Sequence, residues 1–358
     1  MSTMTTVSDE ERMAEAVAVA STARRTVSPR PWVGAVVVTD DGRSFAAATE
    51  GRDGPHAEIG ALRAAGDAAR GATIYVTLEP CSHHGRTGPC ADAVIDAGIA
   101  RCVVAIEDPD PKVAGQGLAR LRAAGVAVEV GLGADAVNAQ LAPYLTHRRT
   151  GRPFVVLKLA ATLDGATAAP DGTSQWITGP EARADAHRLR ADSDAIVVGA
   201  GTVRADDPSL TVRLPAGEAD GVEPLRVVLG RAPAEAKVHP CLEHGGSLDE
   251  LLDDLGERGV LQLMVEGGAS VAAAFHHAGL VDRYVLYLAP ALMGGNDARG
   301  LFAGPGAPTI ADAWRGEVVE VRPIGRDVRI DLVASRSPDD GASRADEQPD
   351  GASGGGAS

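Results

Sequence analysis

Cysteine is scarce in this chain: four residues, Cys81, Cys90, Cys102 and Cys241, in a length of 358. That is too few for a disulfide framework. It fits a reducing cytosol, where thiols serve as metal ligands or buried groups. Long apolar runs are missing as well, and none reaches the ~20 residues that cross a bilayer. Met1 to Arg12 is polar and acidic, so no secretory leader is expected and the chain is read as cytoplasmic. Positive charge is in deficit, with 34 Lys and Arg against 49 Asp and Glu and a net charge of −15. A protein that binds nucleic acid by neutralising phosphates would show the opposite balance. The partners expected are therefore small molecules, with neither nucleic acid nor membrane.

What is present divides in two. The length suits two domains of roughly 150 residues each. Residues 1–147 alternate strand and helix signals: helix over Glu11–Arg24, strand over Val33–Thr39, helix over His56–Ala65, strand over Thr73–Leu78 and helix over Ala91–Ala97. Cys102–Ile106 reads as strand, Leu118–Ala124 as helix and Val126–Val130 as strand, which makes an α/β layered domain. Residues 148–153, rich in Arg with a Gly and a Pro, read as a linker. Residues 154–334 repeat the α/β style with few aromatics. Strands are predicted at Val155–Ala160, Ile196–Val198, Leu225–Leu229, Leu261–Val265, Arg283–Leu288, Val318–Val321 and Val328–Leu332. Helices are predicted at Pro180–Arg190 and Ser270–Ala278. Residues 335–358, mostly Ser, Asp, Gly and Ala, read as a disordered tail.

The chemistry concentrates in two short segments. One is Pro55-His56-Ala57-Glu58; the other runs from Pro80-Cys81 to Pro89-Cys90. One imidazole and two thiolates leave the fourth tetrahedral position of zinc open, the form catalytic sites use. Glu58, two residues past His56, sits where a carboxylate can move protons without binding the metal. The zinc deaminases that act on nucleobases share this H-x-E…P-C…C arrangement. Cys90 and His56 each follow a proline and open a helix, where free N–H groups favour a thiolate or a metal ligand. Taken singly, each part has a plainer reading as a buried thiol or a surface histidine; together they point to zinc.

In the second half, two strand–glycine–helix junctions stand out: Gly199-Ala200-Gly201-Thr202 after one strand, and Gly267-Gly268 after another. Such junctions present free N–H groups to a phosphate. Neither is the G-x-G-x-x-G dinucleotide fingerprint, and plain turns would read the same way. Trp176 is open to a reading as a core aromatic, and Lys158 and Asp164 to one as a structural pair.

These residues resemble the bifunctional deaminase–reductases of riboflavin biosynthesis. The likeness rests on Cys81-Ser82-His83-His84-Gly85-Arg86-Thr87-Gly88-Pro89-Cys90, on Val33-Gly34, Thr77-Leu78-Glu79-Pro80 and Asp108-Pro109-Asp110-Pro111, and on the later motifs Lys158–Gly165, Gly199–Pro208 and Val265–Gly268. It runs from about Glu11 to about Leu332. The resemblance implies a cytidine-deaminase-like α/β/α layered domain followed by a dihydrofolate-reductase-like α/β domain, with Zn2+ and NADPH as cofactors. It implies a phosphoribosylated diaminopyrimidinone as substrate, deaminated first and then reduced at its ribose, and a homo-oligomer. It gives the deaminase-substrate phosphate to His83, Arg86 and Thr87. It gives NADPH contacts to Ala160, Trp176, Thr202, Asp206 and the run Gly268, Ala269, Ser270, Val271, Ala272, Ala273 and Ala274. Reductase-substrate contacts fall on Ser174, Arg190, Leu210, Arg213 and Glu266, with Arg190 and Arg213 on the phosphate. Two positions depart from the family pattern: Arg30 stands where many relatives have Asn, and Thr49 where many have His. They leave open a paralogue acting on a related pyrimidine. A non-catalytic scaffold that kept the folds is a further reading, against which Glu58 argues.

Overall fold

The computed structural model describes residues 7–83, 88–218 and 222–334. The tail expected to be disordered, 335–358, lies outside them, as do Arg86 and Thr87. The first half is built from α1 (Asp9–Ser21), α2 (Arg24–Val27), β1 (Gly34–Val38), β2 (Ser44–Ala48), α3 (Ala57–Ala65), β3 (Thr73–Leu78), α4 (Cys90–Asp96), β4 (Arg101–Ile106), α5 (Gln116–Ala123), β5 (Ala127–Val130), α6 (Ala134–Gln140) and α7 (Ala142–Thr150). Its sheet runs β2-β1-β3-β4-β5. β1 is antiparallel to β2 and β3, and β3, β4 and β5 are parallel. β1, β3 and β4 are near-continuous apolar runs (GAVVV, TIYVTL, RCVVAI) because helices cover both faces of the sheet's centre. Gly34 belongs to this packing: a Cβ there would lie 2.0 Å from the Ala16 carbonyl oxygen, so α1 reaches β1 only over a glycine.

The second half holds β6 (Phe154–Thr162), β7 (Ala166–Ala168), α8 (Pro180–Ala191), β8 (Ala195–Gly199), α9 (Ala200–Asp206), β9 (Leu225–Leu229), β10 (Leu242–His244), α10 (Leu248–Glu257), β11 (Gln262–Val265), α11 (Ala269–His277), β12 (Arg283–Ala289), β13 (Arg299–Gly300), β14 (Gly316–Ile324) and β15 (Asp327–Ala334). An eight-stranded sheet runs β10-β9-β8-β11-β6-β12-β15-β14. The pairs from β10 to β12 are parallel and the last two antiparallel.

The segment expected to link the halves is partly helical: α7 continues through Thr150, and only 151–153 fall between it and β6. Gly151 ends α7 in the left-handed conformation (φ 76°). The halves also touch directly. The Arg24 guanidinium lies 3.9 Å from the centre of the buried Trp32 ring and donates to the Asp192 carbonyl, while Arg25 Nε meets Asp192 Oδ1 at 2.7 Å.

Candidate active sites

The first site forms where β3 ends and two helices begin. His56 is the N-cap of α3, Cys90 is the first residue of α4, and Cys81 lies three residues past the end of β3. A chain leaving the end of a parallel strand and entering a helix turns its side chains and free N–H groups into one crevice. His56 Nδ1 is 3.2 Å from Cys90 Sγ and 3.7 Å from Cys81 Sγ, and the three ligand atoms all lie within 4.8 Å of one another. Ligands on a tetrahedral zinc, with bonds of 2.0–2.3 Å, stand roughly 3.3–3.8 Å apart. The donor set and its spacing therefore fit zinc. The Cys90 N–H donates to Cys81 Sγ at 3.4 Å, as a helix N-terminus does toward a thiolate. Hydrogen bonding from Cys90 and His56 holds the Cys81 thiol down to about 4, and its bond to Cys81, with burial, pushes the Cys90 thiol up.

Glu58 lies in the first turn of α3 and is 3 % exposed. Burial raises its carboxyl above the usual range, which favours holding a proton. His56, Glu58, Cys81 and the exposed His83 line one cavity of about 200 Å³, together with Arg30, Thr49, Glu79, Asp108 and Tyr144.

Three of these residues were given no role from sequence. The Glu79 carboxylate accepts four backbone N–H groups, from Asp108 (3.2 Å), Gly115 (2.9 Å), Gly117 (2.8 Å) and Leu118 (3.2 Å). It thereby ties the 108–118 loop to the end of β3. Tyr144 donates to Asp108 at 3.2 Å. The signal was present in the motifs Thr77–Pro80 and Asp108–Pro111, but nothing local paired them.

The two departures from the family pattern serve the backbone. Arg30 Nη1 donates to the carbonyls of Gly51 (3.2 Å), Arg52 (2.9 Å) and Gly54 (3.1 Å). Thr49 Oγ1 accepts the Val33 N–H at 3.2 Å.

The second site forms on the eight-stranded sheet. β8 and β11 are parallel neighbours, and each runs through glycine into a helix, α9 and α11. The junctions sit side by side: a Cβ on Gly199 would meet Val271 at 2.9 Å, and one on Gly268 would meet Thr202 Oγ1 at 3.4 Å. Ala272 and Ala273 are buried on the inner face of α11, while Gly268, Ser270 and Ala274 are exposed. Ala160 lies on β6, next to β11. Asp206 ends α9 and is exposed. Trp176 is 66 % exposed with the Arg183 guanidinium 4.6 Å from its ring centre, so it is not a core aromatic.

Three charged residues converge beside these junctions. Arg190 Nη2 meets Glu266 Oε2 at 2.6 Å, and Lys158 Nζ lies 3.7 Å from Glu266 Oε1. Burial alone would raise Glu266, but the two cations outweigh it and hold the carboxyl below its usual range. Lys158 thus pairs with Glu266 and not with Asp164, which accepts from Thr162 and from the Gly294 N–H (2.8 Å). Arg190 Nη1 donates to the Thr211 carbonyl at 2.6 Å, leaving Nε buried with no partner among the described residues. Leu210 is buried beside this segment, Arg213 faces His187, and Ser174 lies in the 169–178 loop before α8.

Comparison with known proteins finds a family match on each half. Residues 6–106 match the cytidine and deoxycytidylate deaminase zinc-binding region, and residues 153–330 match the RibD C-terminal domain. The riboflavin biosynthesis protein RibD of Escherichia coli is 42% identical, aligned over 91% of this chain and 100% of its own length. That of Mycobacterium tuberculosis is 42% identical over 91% of this chain and 97% of its own. Among solved structures, RibD of Acinetobacter baumannii superposes with a TM-score of 0.86 at 36% identity, covering 92% of this chain and 99% of that one. A diaminohydroxyphosphoribosylaminopyrimidine deaminase/5-amino-6-(5-phosphoribosylamino)uracil reductase from Thermotoga maritima does so at 0.80 and 31%, covering 91% and 98%. A zinc-type deaminase site and a RibD reductase domain on one chain, matched along almost the whole of it, place this protein in the RibD family of bifunctional deaminase–reductases of riboflavin biosynthesis.

Proposed function

We propose that this chain removes an exocyclic amine from a diaminopyrimidinone bearing a phosphoribosylamino group, and then reduces the ribose of the product with NADPH. The observation that carries the reading is the convergence of His56, Cys81 and Cys90 beside the buried Glu58. Those three side chains would hold zinc, which supplies Lewis acidity when bound. The Glu58 carboxylate takes a proton from the water that forms the new C–O bond and delivers it to the amine as the exocyclic C–N bond breaks and ammonia leaves. His83 on the cavity wall, with Arg86 and Thr87, is assigned the substrate phosphate.

In the reductase half, the first turns of α9 and α11 offer N–H groups to NADPH phosphates. Thr202, Asp206, Ala160 and Trp176 are assigned further contacts to NADPH. NADPH supplies the hydride when bound, and the chain supplies orientation and charge. Arg190 and Arg213 are assigned the substrate phosphate. Ser174, Leu210 and Glu266 complete the substrate side. A cytoplasmic setting and a homo-oligomer belong to the same proposal. The first is supported by four free cysteines, and the second by Val318, Val319 and Val321 exposed on the edge strand β14. Among the described residues no helix is long and apolar enough to cross a membrane.

The test supplies the diaminopyrimidinone phosphate to the zinc-loaded chain and follows ammonia and NADPH together. One ammonia released and one NADPH consumed per substrate is expected. NADPH consumption without ammonia, or neither, would overturn the reading.

A further inference from the structure

Helix α8 grips the 210–213 segment at two points one turn apart. Arg190 Nη1 holds the Thr211 carbonyl at 2.6 Å. His187, three residues earlier on the same helix face, sets its ring against Arg213. Nδ1 is 3.3 Å from the Arg213 backbone nitrogen, and Nε2 is 3.4 Å from Arg213 Nε and 3.3 Å from Nη2. The segment enters this grip through Leu210, buried and in the left-handed region at φ 51°. Its conformation is thus held from outside by α8.

The chemistry suits an acceptor at position 187. A neutral imidazole carries one lone-pair nitrogen, which accepts either from the Arg213 amide or from its guanidinium. A protonated ring would accept from neither and would repel Arg213. Burial, then Arg190 and Arg213, hold the ring's pKa down to about 4, so at neutral pH it stays uncharged. The charges around it are Arg190, Arg213 and Lys158 against Glu266. Their net two positives match a phosphate monoester near its dianion.

We propose that His187 is a positioning residue for reductase substrate binding, holding Arg213 against α8 so that its guanidinium and that of Arg190 face a phosphate monoester together. The inference rests on the assignment of those two arginines to the substrate phosphate. No role was assigned to His187 from the sequence, and it touches neither the glycine junctions nor the zinc ligands.

The test measures NADPH-dependent reduction of the deaminated substrate with and without its phosphate, in the full-length protein carrying His187→Leu, His187→Gln or Arg213→Ala. Turnover of the dephosphorylated substrate at saturation reports folding of the reductase half. His187→Leu is expected to raise KM for the phosphorylated substrate by about tenfold, the order of one lost charge-assisted hydrogen bond, with kcat nearly unchanged. The dephosphorylated substrate should show no such shift, and His187→Gln, which keeps an acceptor, should recover most of the loss. Where His187→Leu does not fold, His187→Ala makes the same comparison. Two outcomes overturn the inference alone: Arg213→Ala loses phosphate preference while His187→Leu keeps it, or His187→Leu weakens both substrates equally. If Arg213→Ala itself leaves phosphate preference intact, the phosphate assignment falls and this inference with it.

Discussion

Cys90 Sγ stands 3.2 Å from His56 Nδ1, although 34 positions separate the two in the chain. The contact exists because α3 and α4 both begin at the rim where β3 ends. With Cys81 it makes a three-point grip of the right size for zinc. The purified protein should contain one zinc per chain by metal analysis. Cys90→Ala should lose it together with ammonia release, while reduction of pre-deaminated substrate continues. A Cys90→Ala protein that keeps a full complement of zinc would show that these three side chains are not its ligands.

Glu58 is buried beside the grip but is not part of it. Glu58→Gln keeps the shape and removes the proton carrier. It should retain zinc and lower the deamination rate by about 10²–10⁴-fold, the usual weight of a positioned acid–base group. NADPH-dependent reduction of pre-deaminated substrate should continue. Equal loss in both reactions would contradict independent sites.

Glu79 answers four backbone N–H groups at once. Glu79→Ala strands them, three in the buried interior, where an unmet donor costs ≈ 1–3 kcal/mol each. A loss of about 3 kcal/mol in the stability of the first domain is expected from chemical denaturation. Ammonia release should fall as well, because Asp108 and Asp110 of that loop line the cavity. A melting profile unchanged from that of the parent protein would mean that the loop is held by something else.

Asp282 gives a pH prediction with a definite sign. Burial pushes its carboxyl up from 3.8 to about 6, opposed by the Val155 N–H at 2.7 Å. Between those values the folded chain binds the proton that the unfolded chain has released. The favourable contribution is therefore complete below about pH 4 and is lost as pH rises through 6. The span corresponds to about 3 kcal/mol at 1.36 per unit. Asp282→Asn keeps an acceptor for Val155 and cannot ionise. Its stability relative to the parent should rise between pH 4 and pH 7. A difference that stays flat over that range would show that Asp282 ionises at its ordinary value.

The zinc set was legible because its chemistry is written in residue types at short range: a histidine two residues from a glutamate, and two cysteines each after a proline. Strands β3 and β9 were legible to the residue, because each is a short, mostly apolar run rich in β-branched residues. Other elements were missed. β2 (SFAAA) is a half-exposed edge strand without clean alternation. α6 and α7 are short, and their Arg-rich end with Gly151 resembles a linker more than a helix. α10 carried a readable cap, Ser247 with Glu250, that went unused.

The sequence alone determined which groups this protein owns: a histidine and two cysteines near a glutamate, glycine junctions between strand and helix, and the arginines Arg190 and Arg213. Their mutual arrangement came only with the tertiary structure. Lys158 faces Glu266 and not Asp164, Arg190 spends two of its nitrogens inside the protein, and His187 meets Arg213. Ion pairs and hydrogen bonds select partners by distance in three dimensions, and that distance depends on strand order and helix crossing, which no local pattern along the chain encodes.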